Sequence, residues 1–279
     1  MQVASANVLG HYSWVPLTTS TSTERPEIAK SKRSFVSWNV AGVAAIVVVL
    51  VVLIAAGYAK AAGGIDPSVA KSGRTDSVAE QPAAKTYRIA VIGDSTTSGS
   101  AWGGAGPAGW PSLVWANLQS QGRDPIPDVS GRGGSGYVRR GTDGTVFPEE
   151  AANVVNSQDN LIMFFGSTND AEDAPDAIAS AARTAYEEAR RVAPMANLLV
   201  IGPAYPSPEV PGQLFAIRDV LKEEAERAGG IFVDPLAEGW FWDGPPELIG
   251  GDGIHPTDAG HVYLAQHIEP HIKQALGIG

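Results

Sequence analysis

From Tyr87 to its C-terminus the chain alternates between two hydrophobic patterns. Ile89, Ala90, Val91 and Ile92 form a continuous apolar run that Gly93 stops. Such a run, bounded by glycine, predicts a strand buried on both faces of a parallel sheet. Similar runs recur at Ile126–Ser130, Asn160–Phe165, Leu198–Ile201 and Ile231–Asp234. Between them lie helix-like stretches: Pro111–Gln121, Asp176–Val192 and Gly212–Ala228. The second of these has an alanine-rich face, with Glu187, Glu188, Arg190 and Arg191 turned outward. A long loop, Pro235 to Pro256, leads into a last helix over Thr257–Leu276. Five short strands alternating with helices predict an α/β fold in which helices cover both faces of a parallel sheet. No internal repeat is visible.

The N-terminal part reads differently. Residues 1–35 are polar and poor in aliphatics, with a Thr/Ser run from Thr18 to Thr23, the composition of a disordered tail. Lys30, Lys32 and Arg33 precede a charge-free stretch, Val40 to Ala59. At about 20 residues it is long enough to cross a bilayer. Residues 36–59 are therefore expected to form a transmembrane helix. Its length exceeds a signal-peptide core, which favours a retained anchor over a cleaved leader, although Ala59-Lys60-Ala61 offers small residues for cleavage. The basic cluster places the N-terminus in the cytoplasm and the remainder outside the cell membrane. Residues 60–86, rich in Ala, Gly, Ser and Pro, read as a flexible linker, and 87–279 as the folded domain.

Composition removes several function classes. A formal net charge of -10 argues against a nucleic-acid partner, which calls for a basic face. With 0 cysteines, neither disulfides nor Cys-ligated metals contribute.

The polar residues fall where strands end. Gly93-Asp94-Ser95 follows the first strand, Gly131–Gly136 (GRGGSG) the second, and Gly166–Asp170 (GSTND) the third. Open α/β sheets place their ligands at this carboxyl edge. Serine is a poor nucleophile until a base takes its proton, and histidine has the pKa for that task. His255 is a candidate base, and Asp252, three residues earlier in a glycine-flanked turn, can orient its imidazole. Acyl transfer also needs donors aimed at the developing oxyanion. The Asn169 side chain, a backbone N–H in the GRGGSG block and the N–H of Ser95 itself are candidates. The second glycine of a G-x-S-x-G elbow is missing, because Thr97 stands in its place.

These four blocks, in this order, resemble the SGNH (GDSL-like) hydrolase family over residues 87 to 276. The resemblance implies a three-layer, flavodoxin-like α/β/α sandwich and a catalytic set of Ser95 as nucleophile, His255 as base and Asp252 as its acidic partner. It implies an oxyanion hole of Ser95, Gly134 and Asn169. Gly134 fits the spacing from the second strand best and Gly136 is the next choice. No cofactor or metal is implied.

Ester substrates of small-molecule, glycan or lipid type follow, and the expected activity is that of an extracytoplasmic, membrane-anchored bacterial esterase. An O-acyltransferase using the same residues, or a non-catalytic binding module on this fold, are the alternatives. His261, His267 and His271, all on the last helix, read as core or solvated histidines. Gly103–Gly109 reads as a mobile loop near the site. Trp102 and the Trp240–Trp242 cluster are candidates to wall an acyl or sugar pocket. Oligomeric state is left open.

Overall fold

The computed structural model describes residues 85–279. The expected tail, anchor and most of the linker lie outside this range. Among the described residues no helix is long and apolar enough to cross a membrane.

Five parallel strands make one sheet in the order β2-β1-β3-β4-β5: β1 (Thr86–Gly93), β2 (Asp124–Gly131), β3 (Leu161–Phe165), β4 (Asn197–Ile201) and β5 (Ile231–Val233). The apolar runs account for this arrangement. Ile89, Val91, Leu161, Met163, Leu199 and Ile201 point to one face, where they meet α2 (Trp110–Ser120) and α6 (Asp258–Leu276). Ala90, Ile92, Ile162, Phe164, Leu198 and Val200 point to the other, against α3 (Phe147–Val154), α4 (Pro175–Val192) and α5 (Gly212–Arg227). A strand covered on both faces needs apolar side chains at every position, which is why alternation is missing from the sequence. The result is the expected α/β/α sandwich.

The edge strand β2 differs in kind. It carries Pro125 and Pro127, and most of its side chains are exposed. Proline lacks the N–H that a central strand must donate, so it is tolerated at the edge. Two boundaries move relative to the sequence reading, and one helix is new. The first strand begins at Thr86, inside the expected linker, and β2 runs from Asp124 rather than Ile126. Helix α3 was not expected at all. It is only two turns long, opens on Phe147-Pro148, and buries Phe147, Glu150 and Ala151. The long loop before α6 also contains a 3-10 turn at Pro246–Leu248.

Gly103–Gly109, read as mobile, is fastened in place. The Gly104 N–H donates to Asp258 Oδ1 at 2.9 Å and the Ser100 N–H to the Gly103 carbonyl at 2.8 Å. The Gly104 backbone lies so close to the His261 ring that an added Cβ would sit 1.9 Å from Nε2.

Candidate active site

β1 ends at Gly93, and the chain turns at once into a single helical turn, α1 (Ser95–Ser98). Asp94 caps it, its Oδ1 accepting from the Thr96 N–H at 2.8 Å. The turn needs glycine at 93, since a Cβ there would sit 2.2 Å from Thr97 Oγ1 and 2.9 Å from the Phe165 carbonyl. Ser95 thus stands at the carboxyl end of a central strand with its side chain free of the sheet.

His255 arrives from the other end of the chain. Its Nε2 lies 3.0 Å from Ser95 Oγ, and its Nδ1 lies 2.6 Å from Asp252 Oδ2. An ionised carboxylate can only accept, so Nδ1 carries the proton and Nε2 presents a lone pair to the Ser95 hydroxyl. The hydrogen bond to His255 pushes Asp252 down to about 2, so the carboxylate is ionised throughout the neutral range. The loop is tied internally. Asp252 Oδ1 accepts from the Ile254 and His255 N–H groups, each at 3.0 Å, and the Gly250 N–H donates to the His255 carbonyl at 2.7 Å.

Two candidate oxyanion donors are backbone N–H groups. The Gly136 N–H donates to the Arg139 carbonyl at 2.9 Å and that of Ser135 to Arg132 at 3.1 Å. The N–H groups of Gly134 and Ser95 have no partner among the described residues. Gly134 has φ +76, in the left-handed region that favours glycine, with open space where a side chain would be. Gly136 serves packing instead, its Cα lying against the Asp170 carboxylate. The Asn169 amide donates one N–H to the Ser135 carbonyl at 2.9 Å; its other N–H makes only a long contact to Asp94 Oδ2, at 3.4 Å, and can turn to a ligand oxygen.

Two supporting carboxylates went unassigned in the sequence. Asp170 is fully buried and accepts the N–H groups of Tyr137 (2.8 Å), Val138 (3.0 Å) and Arg139 (2.7 Å) and the Ser167 hydroxyl (2.6 Å). It thereby joins the Gly134 loop to the turn carrying Asn169. Asp94 is buried beneath Ser95, and burial pushes it up to about 6 against the cap hydrogen bonds and the nearby His255.

A cavity of about 300 Å³ opens beside Ser95 and His255, between the 168–171 turn and the segment 204–214 that follows β4. Neither Trp102 nor the Trp240–Trp242 cluster lines it. Trp240 and Phe241 belong to the core. Trp242 Nε1 donates to the Tyr205 carbonyl at 3.0 Å, bracing the cavity wall from behind. Trp102 covers Gly250 and Gly251, where added Cβ atoms would lie 2.5 and 2.9 Å from its ring. His261 is a core residue and His267 is half-buried. Burial holds His261 down to about 4, hence neutral, while the His267 ring stacks on Tyr263 at 3.9 Å.

Residues 91–263 match the sequence model of the GDSL-like Lipase/Acylhydrolase family, well over half of the chain. The chain belongs to this family. Among its relatives is a protein of Mycobacterium tuberculosis (strain ATCC 25618 / H37Rv) called GDSL lipase Rv0518. The two are 45% identical over 203 residues, which is 70% of this chain and 87% of the relative. This GDSL-like protein is a serine hydrolase acting on esters.

Solved structures share its fold. TesA superposes with a TM-score of 0.56 at 21% identity, over 67% of this chain and 99% of that one. Axe2, an acetyl-xylooligosaccharide esterase from Geobacillus Stearmophilus, superposes with a TM-score of 0.53 at 19% identity, over 71% and 98%. A carbohydrate esterase of family 3 from Talaromyces cellulolyticus gives 0.52 at 18%, over 68% and 98%.

Proposed function

We propose that this protein hydrolyses carboxylic esters through an acyl-enzyme on Ser95. The observation that carries the reading is the hydrogen-bonded chain Ser95 Oγ, His255 Nε2, His255 Nδ1, Asp252 Oδ2 at the mouth of a cavity. Ser95 Oγ attacks the ester carbonyl as His255 Nε2 takes the hydroxyl proton. Negative charge moves to the carbonyl oxygen, where the N–H groups of Ser95 and Gly134 and the Asn169 amide donate to it. Asp252 stabilises the imidazolium. When the tetrahedral species collapses, His255 returns the proton to the departing alcohol. Water, deprotonated by the same imidazole, then attacks the acyl-enzyme and releases the acid.

The same proposal places the enzyme outside the cell membrane, held by a helix over residues 36–59 with its N-terminus in the cytoplasm. The charge-free stretch and the basic cluster before it support this reading.

The test is covalent labelling of the full chain with a fluorophosphonate, followed by p-nitrophenyl ester turnover. Labelling and turnover are both expected to vanish in Ser95→Ala, and turnover to fall by 10³-fold or more in His255→Ala. Labelling without hydrolysis would favour transfer to an acceptor hydroxyl. A folded chain that takes no label would leave a binding module as the better reading.

A further inference from the structure

The cavity beside Ser95 discriminates between ester classes. Its reacting end is marked by Ser95, Asn169 and His255, and beyond them its lining changes character. Ala171 forms one side, Ala204, Pro206, Pro211 and Leu214 the other, and Ile254 the rim. Thr96, Thr168 and Tyr205 add hydroxyls, but no Asp, Glu, Gln, Lys or Arg side chain lines the cavity. A sugar entering there would leave most of its hydroxyls unpaired, and each buried unpaired polar group is costly. A hydrocarbon chain loses no hydrogen bonds and gains from every methylene removed from water. The lining reaches the surface at Ile254, which is 63% exposed.

We infer that this groove binds an apolar acyl chain of medium length, and that Leu214 and Ala171 set the width open to that chain. The inference rests on Ser95 being the nucleophile. A volume of about 300 Å³ has room for roughly ten non-hydrogen atoms at the packing of liquid water, which suits an acyl chain of roughly six to eight carbons. The wall is preformed, because Trp242 Nε1 holds the Tyr205 carbonyl at 3.0 Å. A fixed apolar wall lets added methylenes be recognised without a cost for ordering a loop.

The experiment measures kcat/KM of the purified full chain on p-nitrophenyl acetate, butyrate, hexanoate, octanoate and decanoate, and on an acetylated xylo-oligosaccharide. Ser95→Ala serves as the blank. The expected profile rises by up to about fourfold per methylene and levels off between hexanoate and octanoate. Ala171→Leu and Leu214→Trp, which project bulk into the groove from opposite sides, are each expected to raise the acetate-to-octanoate ratio tenfold or more. The ratio is insensitive to a fraction of misfolded protein, since misfolding lowers both rates alike. A flat profile, a preference for acetate or for the acetylated sugar, or ratios unchanged in both variants would overturn the inference. Selectivity that follows the alcohol rather than the acyl chain would overturn it as well. Turnover surviving in Ser95→Ala would remove the nucleophile reading on which it rests, whatever the chain-length profile.

Discussion

Asp94 sits one residue before Ser95 and does two jobs with two oxygens. Oδ1 caps the turn through the Thr96 N–H, and Oδ2 faces the Asn169 amide at 3.4 Å. Its carboxyl is buried and pushed up to about 6, so the folded chain holds its proton more tightly than the unfolded chain does. Native protein therefore binds more protons than unfolded protein across about pH 4 to 6, and stability falls as pH rises through that window. A rise of roughly two units corresponds to about 3 kcal/mol of stability lost by pH 8. Asp94→Asn removes that loss, and its amide oxygen caps the turn as the neutral carboxyl does. The variant is expected to be more stable than the parent by about 3 kcal/mol at pH 8 and equal to it near pH 3, by urea titration at each pH. It is also expected to be about tenfold slower, because an amide at 94 can turn its NH₂ toward the Asn169 NH₂ and lose the acceptor that orients it. Loss of stability at pH 8 with full activity would contradict both halves of this account. Asp170 acts on the other side of the same amide, holding three consecutive backbone N–H groups of the Gly134 loop.

The elements differ in how legible they were. The central strands β1, β3 and β4 were readable because burial on both faces forces an unbroken apolar run. Ser95, His255 and Asp252 were readable because their chemistry resides in side chains placed next to strand ends and loop glycines. Helix α3 was not, since its eight residues make only two turns, too short a stretch for its apolar face to stand out in the sequence. The partners of Asp170 left no trace either, because backbone N–H groups have no residue identity. The groove wall at 204–214 was equally silent, being a loop of Ala, Tyr and Pro with no repeating pattern. Trp102 was noticed but given the wrong job. It follows the nucleophile on a predicted loop, which suggested a substrate wall, yet at 47% exposure it packs on Gly250 and Gly251 of the loop bearing Asp252 and His255. That contact makes Trp102 a positioning residue. Trp102→Ala is expected to lower kcat five- to twentyfold with KM for a short ester changed less than twofold, since it frees the base and not the binding groove. Its Tm is expected to fall by no more than a few degrees, as the side chain is half exposed. A raised KM at constant kcat would return Trp102 to the substrate wall.

At the scale of the whole chain, the sandwich accounts for residues 85–279 and the proposed tether for what precedes them. The two parts differ in composition. The folded domain carries most of the acidic residues, whereas Val40 to Ala59 carries no charge at all. At 1.5 Å per residue, a helix of this length spans about 30 Å, the thickness of the hydrocarbon core. Placing such a stretch in water would expose a nearly continuous apolar surface, and placing it in a bilayer removes that cost. Lys30, Lys32 and Arg33 on one side then set the direction of insertion. When expressed in a bacterial host, the full chain is expected to sediment with membranes and to resist extraction by alkaline carbonate. Deletion of residues 36–59 with a secretion signal supplied is expected to release active esterase into the soluble extracytoplasmic fraction. Protease added to spheroplasts should remove the domain beginning at Thr86 while leaving an N-terminal epitope tag protected. Activity in the growth medium on a chain shortened near Ala61 would instead identify a cleaved leader. Protection of the domain in intact spheroplasts would reverse the orientation and take the enzyme away from any envelope ester.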